Sequence, residues 1–153
     1  MKVRIEFQDD LPESEVIIRC SHISESIMKL QTMIRDLENN TKSLILSRGE
    51  TEYFIPQDQI LFFETEGKTI TAHTADKMYE TQYRLYELEE MLPGYFMRVS
   101  KSTIVNLNQI YSITRNLTAS SVVEFSDSIK KVYVSRNYYK SLIERMGEKR
   151  KRL

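Results

Sequence analysis

The sequence predicts an α+β chain, mostly β, in which a meander of short antiparallel strands follows an N-terminal β-β-α extension. Three observations carry this prediction. From Ser43 onward, short strand-like stretches of three to five residues are separated by turns at close intervals, as in a β-rich domain. Ahead of them lies one segment whose apolar residues recur at helical spacing. The 153 residues hold a single cysteine and two histidines, too few for an internal disulfide or a zinc set, so an apolar core must hold the chain together.

The elements follow in order. Val3, Ile5 and Phe7 alternate with charged neighbours as a half-buried strand does, and residues 16–20 form a second strand after an Asp-Asp-Leu-Pro turn. A helix is expected over 24–38, with Ile23, Ile27, Leu30, Ile34 and Leu37 on one stripe and Asn39-Asn40 ending it. The stripe either docks on the two strands or pairs with a second subunit. Residues 1–40 thus form an extension for dimerisation or regulation. Strands are expected at 44–47, 53–55, 60–64, 69–73 and 78–81, separated by Arg48-Gly49-Glu50, Pro56-Gln57-Asp58, Glu66-Gly67-Lys68 and Ala75-Asp76-Lys77. A short helix at 85–92 aligns Leu85, Leu88 and Leu92 and stops at Pro93-Gly94. Further strands are expected at 96–99, 103–105, 110–114, 122–126 and 131–134, then a last helix from Asn137 to Gly147 and a basic tail over 148–153.

The balanced composition, 22 basic against 22 acidic residues, hides a segregation. Residues 1–97 carry 10 Lys and Arg against 18 Asp and Glu, a net −8, whereas residues 98–153 carry 12 against 4, a net +8. A basic C-terminal third suits a polyanion, although Lys149, Arg150, Lys151 and Arg152 supply half of that excess and also suit a solvated tail. No apolar run approaches the ~20 residues of a membrane span, and the start MKVRIEFQDD lacks the layout of a signal peptide, so a cytoplasmic protein is expected. The sequence contains no glycine-rich phosphate loop, HExxH or CxxC, and no histidine beside a nucleophile and an acid, so neither an enzyme nor a cofactor is expected. Cys20 reads as a small half-buried residue, and His73 as a surface or groove-side residue. Glu87, Glu89 and Glu90 read as a solvated helix face.

The segment 95–106, YFMRVSKSTIVN, resembles the core signature of the LytTR-type DNA-binding domain, where a strand ends in Arg-aliphatic-His-Arg-Ser and an aliphatic-Val-Asn strand follows. Three flanking segments are similar to that family in order and spacing. Residues 58–64, DQILFFE, match its Asp-x-Ile-aromatic-Glu opening, residues 86–92 its Leu-rich helix, and Val134-Ser135-Arg136-Asn137 its last strand end. The resemblance spans 43–146 and places the module at 43–147. Where the family has His-Arg-Ser, this chain has Ser100-Lys101-Ser102, so a point-charge ammonium replaces a forked guanidinium. Forty preceding residues are too few for the family's usual phosphoacceptor receiver domain, so a stand-alone regulator answering another signal is expected.

The resemblance implies a ten-stranded, elongated antiparallel β fold whose loops enter successive major grooves of double-stranded DNA, in a sequence-specific transcription regulator. The implied contacts are the turn at Gly67-Lys68-Thr69, the loop Ser100-Lys101-Ser102 and the junction Ser135-Arg136-Asn137. Each joins a basic side chain to hydroxyl or amide neighbours at a strand end, a mix that grips phosphate oxygens and reaches base edges. Arg136 suits guanine, because its planar fork meets O6 and N7 together; an ion pair with an N-terminal acid is the alternative. Lys68 reads also as a solvated turn lysine, and Arg98 as either a phosphate contact or a structural residue. A homodimer is expected, since one small module offers little footprint. The rival readings are a protein-interaction module using the β surface and the 23–37 helix, and an RNA binder stacking bases on Tyr138-Tyr139.

Overall fold

The computed structural model describes residues 2–38 and 43–151, which fall into two compact units divided at residue 40. In the first, the two expected strands do not form. The backbone over 3–7 and 16–20 is unpaired, and Val3, Ile5 and Phe7 are exposed, Phe7 to 94%. Alternation says which face a strand would bury, and two short strands without a third or an apolar partner are marginal in water. Helix α1 does form, over Glu25–Glu38. Ser24 caps it, its Oγ accepting from the Ile27 amide at 3.3 Å, and a Glu25–Lys29 pair at 3.0 Å braces the first turn. Ile27, Leu30 and Ile34 are its half-buried residues of the stripe. The Asn39-Asn40 stop lies outside the described residues, as does the side chain of Leu37.

The second unit holds ten strands and two helices among the described residues. The strands are β1 (Ser43–Arg48), β2 (Thr51–Pro56), β3 (Phe62–Glu66), β4 (Thr69–His73), β5 (Met78–Thr81), β6 (Phe96–Ser100), β7 (Thr103–Asn106), β8 (Ile110–Thr114), β9 (Ser121–Phe125) and β10 (Lys131–Val134). The helices are α2 (Leu85–Met91) and α3 (Arg136–Lys151). All pairings are antiparallel. Seven strands form one sheet in the order β2-β1-β5-β4-β3-β7-β6, and three form a second in the order β10-β9-β8. None of the helices among the described residues is long and apolar enough to cross a membrane.

The centre of the large sheet is covered on both faces. Phe63 and Ile104 point into a core beneath α2, with Leu46, Leu85, Leu88 and Phe96. Their neighbours Phe62 and Val105 point into a second core with Val123, Phe125, Val132, Val134 and Leu142, which joins the small sheet and α3. Two-sided burial is why β3 and β7 hold adjacent buried apolar residues, Phe62-Phe63 and Ile104-Val105, while β1, covered on one side, alternates. Fully burying each such side chain contributes about 1.5–3 kcal/mol.

Two boundaries shift for local reasons. Residues 57–59 form a 3-10 turn after Pro56, so β3 starts at Phe62 and not at Ile60. The last helix starts at Arg136 and runs through Gly147 to Lys151, so the expected frayed tail is helical backbone as far as it is described. Gly147 therefore acts as a helix-interior residue, at a cost of about 1 kcal/mol relative to alanine.

Leu142 is the fully buried anchor of α3. Leu142→Ala should lower unfolding free energy by about 2–5 kcal/mol, measured by denaturant titration with the slope unchanged.

Candidate nucleic-acid interface

The strand registers bring the three expected loops to one end of the large sheet. β3 pairs with β7 through Phe62↔Val105 and Glu64↔Thr103, so the β3–β4 turn and the β6–β7 loop lie side by side. The Thr65 amide donates to the Ser102 carbonyl at 2.8 Å and ties them together. Gly67 takes φ +61° in that turn, a conformation other residues adopt at a cost, and this aims Lys68 outward. Thr69 opens β4, half-buried.

The third loop comes from the small sheet, by way of an irregularity in β6. Arg98 pairs with Ile104 and Ser100 with Thr103, which leaves Val99 as an extra residue in the ladder. Its carbonyl accepts instead from the Ser135 amide at 3.0 Å, with the Ser135 hydroxyl at 3.5 Å. Ser135 thereby sits beside Ser100-Lys101-Ser102. Arg136 and Asn137 follow as the exposed first residues of α3. No acidic residue stands in that first turn to offset the positive end of the helix dipole.

Within the β6–β7 loop the polar groups bond to one another. The Ser102 amide donates to Ser100 Oγ at 3.2 Å, and the two hydroxyls lie 3.3 Å apart. Arg98 holds the loop in shape. Its Nε donates to the Ser100 carbonyl at 3.1 Å and Nη2 to the Lys101 carbonyl at 2.6 Å, while Nη1 pairs with Glu89 at 2.7 Å. This side chain is a positioning residue, and its guanidinium is largely spent inside the protein. Lys101 is exposed; among the described residues, no carboxylate lies within ion-pair distance of Lys68, Lys101 or Arg136.

Several features escaped the sequence. Arg84 lines the same cleft of about 970 Å3 as Lys68, Thr69, Arg98 and Lys101. It sits one residue ahead of a Leu-patterned helix, a segment that reads as scaffold. The loop residues Thr118, Ala119 and Ser120 face Ser135, Arg136 and Asn137 across a second cleft of about 420 Å3. Their hydroxyl-rich run after Arg115-Asn116 carries the same signal as the expected loops. Arg115 stacks over the Tyr139 ring at 5.0 Å, and Tyr138 and Tyr139 pack partly against the second core, so they form no open stacking platform.

Other expectations need correction. Cys20 is exposed, not half-buried. The acidic residues of α2 are not merely solvated: Glu87 Oε1 accepts from the Arg84 amide at 3.2 Å, capping the helix, and Glu89 pairs with Arg98. His73 is buried and not on the surface, stacked on Phe62 with ring centroids 4.2 Å apart. Burial, then the Lys130 charge, lowers its pKa to about 4. The ring is therefore neutral at neutral pH, and its approach to Glu64 at 3.6 Å is not an ion pair there.

Residues 50–147 match the model of the LytTr DNA-binding domain. The chain belongs to the LytTR family. This is a family of DNA-binding domains of transcription regulators, not a class of enzymes. Two Staphylococcus aureus proteins, from strains NCTC 8325 and COL, are each 27% identical to it over 147 residues, covering 96% of this chain and 99% of each relative. Both are named uncharacterized HTH-type transcriptional regulators. In the LytTR chain itself, strands separate α1, α2 and α3, and no helix-turn-helix occurs among the described residues. The match reaches beyond the LytTR module into the N-terminal unit. Among solved structures, the LytTr DNA-binding domain of a Bacillus cereus protein described as a methyl-accepting/DNA response regulator superposes with a TM-score of 0.61. It is 23% identical, covering 67% of this chain and 96% of that one, and supports the mostly antiparallel β fold.

Proposed function

We propose that this LytTR chain is a cytoplasmic, sequence-specific transcription regulator that inserts its loops into the major groove of duplex DNA. The observation that carries the reading is the convergence of Lys68, Lys101 and Arg136 at one end of the sheet, none held by a carboxylate among the described residues. Thr69, Ser100, Ser102, Ser135 and Asn137 add hydroxyl and amide groups suited to phosphate oxygens. Lys68 and Lys101 neutralise phosphates as point charges. Arg136 reads a base, because a strand end and a helix start fix its backbone while its fork stays free. Arg98 acts through the loop it braces. Arg84 joins Lys68 and Lys101 in a shared basic cleft.

The test uses a duplex selected from a random pool as operator. Lys101→Ala should weaken operator and random DNA by similar factors and reduce the slope of log affinity against log salt by about one. Arg136→Lys keeps the charge and loses the fork. It should cost about 1–3 kcal/mol on operator and less on random DNA. Wild-type discrimination by Arg136→Lys, with an unchanged circular dichroism melt, would remove base reading from this residue.

The chain acts as a homodimer in this reading, paired through α1. Docking on the two N-terminal strands was one of two alternatives for the Ile27, Leu30 and Ile34 stripe, and since those strands do not form, pairing with a second subunit is favoured. Leu30→Asp with Ile34→Asp should sediment as a monomer. A wild type that already sediments as a monomer at working concentration contradicts this arrangement.

A further inference from the structure

The face of β3 and β4 that carries Phe62 and His73 holds a group of side chains with no part in the proposed DNA contacts. Glu64 and Glu66 lie two apart on β3, and His73 closes β4. His73 Nε2 lies 3.6 Å from Glu64 Oε2 and 3.9 Å from Glu66 Oε1, and one donor atom from each of the three falls within 4.8 Å of the others. Two carboxylates this close repel, and this repulsion, second to burial, raises the pKa of Glu64. The His73 side chain is 9% exposed, and Nε2 is buried without a hydrogen-bond partner. A buried, unpartnered nitrogen aimed at two carboxylates costs stability and calls for an explanation.

We propose that Glu64, Glu66 and His73 bind a zinc-class divalent cation, with solvent in the remaining position. Imidazole nitrogen and carboxylate oxygen suit such a metal, and tetrahedral bonds of about 2.0–2.2 Å set ligand atoms about 3.3–3.6 Å apart. Both His73 distances lie within a few tenths of an ångström of that range, and both glutamates are partly exposed and can adjust. The surroundings set one condition. Lys130 Nζ lies 3.3 Å from His73 Nδ1 and, as a donor only, assigns the ring proton to Nε2. The metal takes the Nε2 lone pair, the ring proton moves to Nδ1, and the ammonium turns away from the ring. It keeps the Lys77 carbonyl, to which it already donates at 2.6 Å, and stays in the field of Asp76. Lys130 therefore competes with the metal.

Glu64 and Glu66 stand four and two residues before Lys68, and His73 five after it. Metal binding would offset two negative charges beside that turn and strengthen its hold on phosphate. This consequence rests on the DNA reading above; the site itself does not.

The experiment is a cobalt(II) titration of the full chain without DNA, read by visible absorption and reversed by zinc chloride. A Cys20→Ser, His22→Gln background removes the exposed thiol and imidazole of the N-terminal unit. One equivalent should saturate the absorption. Glu66→Gln, at a partly exposed position that leaves the fold intact, should weaken binding by at least about tenfold, His73→Gln should abolish it, and Lys130→Gln should tighten it. No absorption change at one equivalent, or a titration indifferent to both Glu66→Gln and His73→Gln, overturns the site. In a second arm, zinc should tighten random-duplex binding severalfold in the same background and leave the Glu66→Gln variant unaffected. Zinc bound without that gain overturns the coupling alone, while failure of the chain to bind duplex at all is a failure of the DNA reading.

Discussion

The interface depends on one irregularity, the extra residue Val99 in β6. A regular β6–β7 ladder would engage the Val99 carbonyl within the large sheet. Freed by the bulge, it accepts from the amide of Ser135, where the small sheet hands over to α3. That bond brings a loop of one sheet beside two loops of the other. Bulges are common where a strand must re-aim a side chain or end its pairing. Here the same kink lets the Arg98 guanidinium curl back onto the carbonyls of Ser100 and Lys101, so Lys101 stands on a braced loop. Much of the ordering that contact with a polyanion would demand is thus already present in the fold.

The large sheet makes this arrangement rigid by serving two cores. Phe63 and Ile104 bury toward α2, and Phe62 and Val105 toward the small sheet and α3. A shift of one residue between β3 and β7 would exchange the two sets and displace both cores together. Asn106 strengthens the same register. Its buried carboxamide donates to the Ile60 carbonyl and accepts from the Asn108 amide, both at 2.9 Å, and its own amide donates to the Leu61 carbonyl at 2.8 Å. A buried amide satisfied in this way tolerates few alternatives, because slippage would leave its polar atoms unpaired.

Much of the module was legible in the sequence because its strands are short and bounded by turn residues. The reading of 69–73, 78–81, 110–114 and 131–134 coincides with β4, β5, β8 and β10. The N-terminal strands were not legible, since alternation in Val3, Ile5 and Phe7 carries no information on whether a partner exists. At the interface, the three loops were located through the resemblance to the LytTR family, and each joins a basic residue to hydroxyl or amide neighbours at a strand end. Their convergence could not, because it depends on a bulge that no residue type announces. The place of Arg84 in the cleft and the burial of His73 arise from contacts between residues distant in sequence, and the bracing role of Arg98 from side-chain bonds to the loop two and three residues on and to Glu89, none of which periodicity registers.

The central claim is that three loops from two sheets form one face for duplex DNA. The most direct measurement is an amide chemical-shift map of the isotope-labelled chain titrated with a short selected duplex. The account predicts that the largest shifts fall together on residues 67–69, 100–102 and 135–137, with Arg84 and residues 118–120 beside them. Shifts confined to α1 or to the β1–β2 edge, with these loops unmoved at saturation, would contradict it.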